Sequence, residues 1–479
     1  MDESQGALQH NGRQADIQGL PVALVATPTI EYRMHRKTLK ATVEPGMPAA
    51  FPIPIPLPIP LPVVVGSRVL IWKQDPSVAE IGVRRAYIPS RVLTGPRDAR
   101  IVNGTPGLPA VSPNTFGDFI QNPGTGAFDA VHTFAVVRMT LTMYQRAIAV
   151  GGSPAPIPWQ WNSGSAADPL SVYPHGLPDT MNAFYSRSQR ALKFGDFVAP
   201  GSPAGSPRVF TCRSLDIVSH EAGHAILDGL KPGWLAFGNP PQTGGLHESF
   251  GDLTAIFLAL SQMDQVEAII AQTKANLHDK TFLADLAEQF GLALGRPNGL
   301  RNADNDLKLS QVSTEVHAIS QVFTGAIYDV LADIFASERK TRVRDDAAVL
   351  YEVGQYLCSL VLRAIIGAPA SGANFADVAN RMLQITAADG KPAAYRQFIR
   401  NRFALREILL SPTPLTEALP VGVTVLEAAV KDAKGAKQDR TGCCGTMTLE
   451  EYSEVDDLLE EIEELKKSLE PRGREKVKA

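Results

Sequence analysis

The sequence predicts an α+β fold, and three features of the chain support this. Short runs of β-forming residues, separated by loops rich in glycine and proline, fill much of the first half. Apolar residues recur at helical spacing through most of the second half, from Leu246 to Leu410. Between these regions lies the pentapeptide HEAGH, residues 220–224, whose two histidines would share one face of a helix. We therefore expect a β-rich part that ends in this helix, followed by a mostly helical part.

Bulk composition indicates a soluble globular protein. A chain of 479 residues is long enough for two or three folding units, and 44% of its residues are hydrophobic. The net charge of -4 gives no reason to expect nucleic acid as a partner. The polar N-terminus lacks the pattern of a secretory signal peptide, and the four cysteines form no regular framework. We expect a cytoplasmic protein, or one exported without a signal peptide.

The first predicted segment, residues 1–65, is a proline-rich arm. Residues 51–65 read FPIPIPLPIPLPVVV, with proline at every second position from Pro52 to Pro62. This run is apolar enough to resemble a transmembrane segment, but each proline removes a backbone donor and clashes with the preceding helical turn. We predict no transmembrane segment here. The arm is either an extended, polyproline-like strand on an apolar surface or a stiff spacer.

Two segments of β and loop character come next. Residues 66–124 contain β-like runs from Ser67 to Lys73 and from Arg85 to Leu93, followed by loops rich in glycine and proline. Residues 125–230 open with a helical pattern from about Phe128. Residues 182–197 then read as strands joined by a turn, and a short run after them leads into the HEAGH helix.

Helical patterns dominate the rest of the chain. Residues 231–415 include the amphipathic runs ESFGDLTAIFLALSQM and AISQVFTGAIYDVLADIFAS. Residues 416–446 form a linker, and residues 447–479 predict an acidic amphipathic helix. That helix either packs on the body or pairs with another helix, which includes self-association. Its apolar positions, three and four residues apart, are Val455, Leu458, Ile462, Leu465 and Leu469.

The HEAGH motif carries chemistry typical of a zinc site. His220 and His224, four residues apart on a helix, can bind one zinc ion, and Glu221 can take a proton from a zinc-bound water. A catalytic zinc needs a third ligand, and Glu248 stands 24 residues after His224. Asp252 follows on the same helix face, where it could orient His220. The alternative for Glu248 and Asp252 is a solvated acidic pair at a helix N-terminus.

HEAGH followed by ExxxD resembles the thermolysin-like zinc metallopeptidases of the gluzincin group, and the resemblance covers about residues 125 to 410. EVHAISQVFTGAIY is similar to the family segment that carries the oxyanion-stabilising histidine, here His317. GLRNADND resembles the segment whose arginine contacts the substrate carbonyl, here Arg301. One further stretch is similar to the edge strand that holds the substrate backbone by strand addition: Asn182, Ala183, Phe184 and Tyr185.

The resemblance implies a zinc endopeptidase acting on peptides or proteins. Its two-lobed fold would place zinc in the cleft between a β-rich N-terminal lobe and a mostly helical C-terminal lobe. Glu221 would act as general base, and His317, assisted by Arg301, would stabilise the oxyanion. The implied zinc ligands are His220, His224 and Glu248.

The sequence departs from the family pattern in several places. The spacer between the metal motif and the third ligand is longer, and its usual tyrosine is missing, with Trp234 and Leu235 in that region. The family's aspartate partner of the oxyanion histidine is also missing, and Glu315 is the nearest acid. Asp196 and Asp216 remain, but most calcium-binding acids of the family are replaced, which weakens the case for calcium.

Three alternatives stay open from the sequence. An aminopeptidase would share the metal motif, but no GxMEN-like sequence for binding a free amine is visible. A non-catalytic protein braced by zinc would work through the proline-rich arm and the C-terminal helix. The intact Glu221 argues against that alternative, because a structural zinc site needs no base. A peptidase delivered as an effector or toxin would explain the missing signal peptide.

Overall fold

The protein has a mixed α+β fold in this computed structural model. The structure describes residues 66–78, 82–104, 108–149, 156–162, 168–203, 205–296 and 299–410. The predicted proline-rich arm (1–65), the linker (416–446) and the C-terminal helix (447–479) lie outside the described residues.

An antiparallel hairpin opens the described chain. It consists of β1 (Ser67–Trp72) and β2 (Val83–Ile88), and its alternating apolar side chains lie in the hydrophobic core. Strand β2 begins two residues before the predicted run and ends well before its predicted end. Pro89 follows Ile88 and has no N–H with which to continue the ladder.

A five-stranded mixed sheet follows the hairpin. Four strands lie in the order β3 (Ile101–Asn103), β4 (Leu170–Leu177), β6 (Ala191–Val198) and β5 (Ala183–Ser186), and β7 (Arg208–Phe210) pairs with β6. Strands β3, β4 and β6 are parallel, whereas β5 runs antiparallel to β6. The strands predicted within residues 182–197 are therefore present. Strand β5 ends the path of the sheet, and its second side pairs with no strand among the described residues.

Two long buried helices connect the sheet to the rest of the molecule. Helix α1 (Gly126–Ala147) begins where the Thr125 side chain accepts the backbone N–H of Phe128. Helix α2 (Leu215–Leu230) carries HEAGH and is capped in the same way by Ser214. Helix α2 packs against α1, β5 and the next long helix, which is why nearly all of its surface is buried.

The second part of the described chain is mostly helical, as predicted. The prediction of helix throughout residues 246–410 is wrong for residues 274–315, whose described part contains one short α-helix, a 3-10 turn and a small hairpin. Asparagine, aspartate, glycine and proline are frequent there, and these residues favour turns. The elements are α3 (Pro241–Leu260), α4 (Met263–Thr273), β8 (Asp285–Leu286), α5 (Glu288–Ala293), β9 (Arg301–Asn302), α6 (Val316–Glu338), α7 (Asp346–Gly367), α8 (Phe375–Ala388) and α9 (Ala393–Leu405).

One continuous hydrophobic core joins the two parts. It includes Val69 and Ile71 of the hairpin together with Phe250 of α3 and Phe403 of α9. The described residues all belong to one compact unit, which begins at Val63. The predicted boundaries near residues 124 and 230 therefore fall inside this unit, and their status as domain limits stays a prediction.

Within the part of the chain that the structure describes, two helices are long and apolar enough to cross a membrane by length and composition. They are α6 and α7, and 83% and 67% of their most apolar stretches are buried inside the protein. Helices α3 and α4, which meet at 94°, would make a third if they formed one span. The expectation that no segment crosses a membrane stays a prediction.

Candidate metal centre

The three predicted metal ligands converge where α2 packs on α3. His220 and His224 lie one helical turn apart on α2, and Glu248 projects from α3. His220 Nε2 lies 3.5 Å from Glu248 Oε2, and His224 Nε2 lies 3.3 Å from Glu248 Oε1. One ligand atom from each residue lies within 4.8 Å of the other two. The alternative of a solvated acidic pair is wrong, because Glu248 and Asp252 lie well inside α3 and are buried.

Glycines allow α2 and α3 to approach this closely. A Cβ atom at Gly251 of α3 would lie 2.6 Å from the His220 ring, and one at Gly223 of α2 would lie 2.6 Å from Thr254 Oγ1. Any side chain at either position would push the helices or the ring aside. The glycine within HEAGH therefore has a packing role, and Gly251 leaves room for the first histidine.

The spacing of the ligand atoms fits a zinc ion. Tetrahedral zinc with Zn–N bonds of about 2.0–2.1 Å has neighbouring ligand atoms roughly 3.3–3.4 Å apart. The two histidine-to-carboxylate distances, 3.5 and 3.3 Å, are close to this value. Glu248 Oε1 is buried and has no hydrogen-bond partner among the described residues, as expected of an atom placed to bind a cation. Three protein ligands also leave one coordination position open.

The charges at the site suit a cation. Burial lowers the pKa of His224 well below its ordinary value, so its imidazole is neutral, the form that binds a metal. Burial alone would also lower the pKa of His220, but hydrogen bonds with Asp252 and Glu248 outweigh it and raise that pKa to about 10, so a zinc ion would displace the proton on Nε2 when it binds. Burial by itself would raise the pKa of Glu248, yet the surrounding histidines hold it well below its ordinary value. The third ligand is therefore an ionised carboxylate.

Asp252 occupies the place predicted for it beside His220. Its Oδ1 lies 3.1 Å from His220 Nδ1, the nitrogen that faces away from Glu248. The same oxygen accepts hydrogen bonds from Nε and Nη2 of Arg301, at 3.1 and 2.8 Å. Arg301 thus reaches the metal ligands through Asp252 and His220. Its predicted contact with a substrate carbonyl stays a prediction.

Glu221 lies between the metal ligands and strand β5. Burial raises the pKa of its carboxyl to about 8, and a hydrogen bond with the backbone of Tyr185 acts in the opposite direction. The side chain is only 7% exposed. The predicted base is therefore held at the contact between the motif helix and the predicted substrate-binding strand.

The predicted substrate-binding residues, Asn182 to Tyr185, lie at the sheet edge. Ala183 pairs with Phe194 and Tyr185 with Leu192 of β6, while Phe184 and Tyr185 are buried. Asn182 Oδ1 accepts the N–H of Ala183 at 2.8 Å, and the Tyr185 hydroxyl donates to Asp228 at 2.7 Å. The bond from Tyr185 to Asp228 joins this strand to α2. Strand addition by a substrate at this edge stays a prediction.

His317 stands at the start of α6, opposite the motif helix. Its Nε2 lies 3.4 Å from Glu248 Oε2, and its Nδ1 lies 2.7 Å from Glu315 Oε1. Burial alone would lower the pKa of His317, but the charge of Glu248 and the hydrogen bond to Glu315 raise it to about 9. Glu315 therefore contacts the His317 ring, for which the sequence has no counterpart of the family's aspartate partner.

The missing tyrosine of the spacer has no replacement at Trp234 or Leu235. Both side chains are buried in a short 3-10 turn, Pro232–Leu235. The indole N–H of Trp234 donates to the carbonyl of Pro369 at 2.9 Å. These residues pack the spacer onto the body of the helical part.

Sequence reasoning missed His247. Its Nδ1 lies 2.8 Å from His224 Nδ1, so one imidazole donates a hydrogen bond to the other. Burial lowers the pKa of His247 to about 3, so its ring is neutral. A metal-binding histidine usually donates its second nitrogen to an acceptor. The signal in the sequence was a histidine directly before the third ligand, Glu248.

Among the described residues, two other groups of side chains satisfy the same distance limits for a metal, but in each group an arginine already holds one carboxylate. One consists of Asp129, His175 and Cys212. Arg213 contacts both oxygens of Asp129, at 2.8 and 2.9 Å. In the second group Arg406 donates to Asp329 Oδ2 at 2.8 Å, and His278 Nδ1 lies 2.8 Å from Asp304 Oδ1. The second group consists of His278, Asp304 and Asp329.

The two remaining acids of the family's calcium pattern have different surroundings. The Asp196 carboxylate binds the Arg208 guanidinium, while Asp216 is buried. Burial and the nearby charges of Asp75 and Glu288 raise the pKa of Asp216 well above its ordinary value. The expectation that calcium is doubtful stays a prediction.

A scan against protein-family models finds no matching family, and a search of curated proteins finds no match. The resemblance to thermolysin-like peptidases therefore stays a prediction from the sequence motifs.

Proposed function

We propose that this protein is a zinc-dependent endopeptidase. The observation that carries the proposal is the arrangement around Glu248. Its carboxylate lies 3.5 and 3.3 Å from the two motif histidines, with buried Glu221 on the same motif helix and His317 at 3.4 Å. We also propose that the β-rich part through α2 and the helical part after it form the two lobes of a thermolysin-like fold.

His220, His224 and Glu248 would hold the zinc. When bound, zinc would supply Lewis-acid chemistry, since it polarises a carbonyl and acidifies water. The open fourth position favours a catalytic over a structural site, because structural zinc sites are closed by four protein ligands. This distinction weighs against the alternative of a non-catalytic, zinc-braced protein.

Glu221 would carry the proton. It takes a proton from the attacking water and passes it to the leaving amine. A group with this task works best when its pKa lies near the operating pH, and the pKa of Glu221 is raised to about 8. The contact between Glu221 and the Tyr185 backbone supports this role, because Tyr185 belongs to the strand that would hold the substrate.

His317 would stabilise the negative charge that develops on the scissile carbonyl oxygen. Its Nε2 faces the metal ligands, and its pKa is raised to about 9, so at neutral pH Nε2 carries a proton to donate. Loss of one such donor typically lowers the rate about 10²–10³-fold. Asp252 contacts Nδ1 of His220, and Arg301 in turn donates hydrogen bonds to Asp252.

Glu221→Gln tests this proposal. The full chain and the variant are assayed for bound zinc and for cleavage of a peptide library. Both should bind one zinc ion, and the variant should lose cleavage almost completely. Glu267→Gln, at an exposed glutamate of α4, is the matched control and should cleave normally. Undiminished cleavage by Glu221→Gln would contradict the mechanism.

Peptides with blocked termini distinguish an endopeptidase, which cleaves them, from an aminopeptidase, which does not.

A further inference from the structure

Glu315 caps helix α6 in an unusual way. N-caps are typically short polar residues such as serine, threonine, asparagine or aspartate. Here the longer glutamate side chain folds over the helix start. Its Oε1 accepts the N–H of His317 at 2.9 Å, and its Oε2 accepts the N–H of Ala318 at 2.8 Å. Both carboxylate oxygens are therefore used to start the helix.

The same carboxylate also contacts the His317 ring. Oε1 lies 2.7 Å from Nδ1, so it faces the backbone N–H and the ring nitrogen of one residue. The other ring nitrogen, Nε2, then faces the metal ligands, 3.4 Å from Glu248 Oε2. With Nδ1–H donated to Glu315, the ring cannot turn without breaking a charge-assisted hydrogen bond.

We propose that Glu315 is a positioning residue for the peptidase reaction, and that one carboxylate both starts α6 and directs Nε2 of His317 toward the reacting carbonyl. The proposal rests on the proposed function. Glutamate is needed because its carboxylate must bind both the backbone N–H groups at the helix start and Nδ1 of the His317 ring. An aspartate, shorter by one methylene, still caps the helix but does not reach Nδ1 at the same time.

A double-mutant cycle tests this proposal in the full, zinc-loaded chain. It compares Glu315→Asp, His317→Ala and the double variant by kcat, KM and melting temperature. Glu315→Asp should keep the melting temperature, because aspartate is a good N-cap. It should lower kcat about tenfold, the lower end of the effect of groups that orient a site. KM should change less than twofold, and the substitution should add nothing in the His317→Ala background.

The matched control removes a cap remote from the site. Asp345 caps α7 through the N–H of Ala348 at 2.8 Å. Asp345→Ala should lower the melting temperature and leave kcat unchanged. An equal loss of kcat from Glu315→Asp with and without His317 would overturn the proposal. A Glu315→Asp variant with a lower melting temperature and an unchanged kcat would also overturn the proposal.

A second measurement needs no enzymatic activity. In ¹⁵N-histidine-labelled protein, the His317 signal reports which ring nitrogen carries a proton and whether that proton is hydrogen-bonded. Glu315→Asp should shift the Nδ1 signal of His317, and Asp345→Ala should not. An unshifted signal would overturn the positioning role. If the wild-type chain cleaves no peptide while the shift appears, the proposed function fails and the contact between Glu315 and His317 stands.

Discussion

His247 hydrogen-bonds His224, with 2.8 Å between their Nδ1 atoms, and both rings are buried. His224, one candidate zinc ligand, is therefore oriented by a neutral imidazole. His220, the other candidate in the motif, is oriented by the carboxylate of Asp252. The two histidines of one motif have different supports, and this difference leads to the first prediction.

His247→Phe should weaken zinc binding about 10–100-fold, the usual effect of removing a group that orients a metal ligand. The phenyl ring fills similar space but can neither donate nor accept the hydrogen bond to His224. Competition with a chelator of known affinity measures the change. His132→Phe is the control, because His132 is equally buried and bonds the backbone of Trp72 instead. Equal zinc affinities for the two variants would contradict the assigned role of His247.

Gly251→Ala should also weaken zinc binding, for a steric reason. The added methyl group would lie 2.6 Å from the His220 ring, which must then move away from Glu248. Gly354→Ala is a matched control, since its methyl group would crowd Leu260 at 2.9 Å. Both variants should lose stability, and zinc titration should show reduced affinity for Gly251→Ala alone. Unchanged affinity in that variant would show that the ring can give way without cost.

Arg301 should act through Asp252. Two of its nitrogens donate to Asp252 Oδ1. We expect Arg301→Met to lower kcat/KM about tenfold in the wild-type background. In the Asp252→Asn background the same substitution should have little further effect. A loss that persists in that background, with a raised KM, would instead indicate direct contact with the substrate carbonyl. Steady-state kinetics of the four proteins distinguish these outcomes.

Acid should remove the stabilising effect of Asp129. Burial by itself would raise the pKa of this carboxyl, but hydrogen bonds from His175 and Arg213 lower it below the ordinary value of 3.8. The folded protein therefore holds fewer protons at this site than the unfolded chain. The contribution is present above about pH 4 and is lost as the pH falls through the lowered pKa.

We expect Asp129→Asn to cost roughly 3 kcal/mol at pH 7, because it leaves Arg213 without its buried partner. The difference in unfolding free energy from the wild type should persist at pH 5 and shrink below pH 4. Urea unfolding at pH 7, 5 and 3 measures it. A difference that grew toward pH 3 would mean that the pKa of Asp129 is raised in the folded protein.

A chain shortened to begin at residue 125 should fail to fold stably. It would lack β3, which pairs with β4, and the hairpin whose Val69 and Ile71 lie in the common core. It would also lose the ion pair between Lys73 and Asp264 of α4. A stable, active protein starting at residue 125 would show that residues 66–124 are a removable prosegment.

The sequence by itself determined the features that depend on local spacing. Histidines four residues apart lie on one helix face, and so do Glu248 and Asp252, because an α-helix has 3.6 residues per turn. The strands within residues 182–197 followed from short β-forming runs around a turn. The same reasoning was wrong for residues 274–315, where turn-forming residues interrupt the helical pattern.

The tertiary structure alone decided which distant side chains meet. His247 reaches His224 only because α3 lies against α2, and Arg301 reaches Asp252 only because β9 lies beside α3. The end position of β5 in the sheet depends on β4, β6 and β7 together. Even Glu315, two residues from His317, reaches the ring only in the bent geometry of a helix start. Periodicity places a side chain on a face of its own element, whereas the packing of elements decides what that face meets.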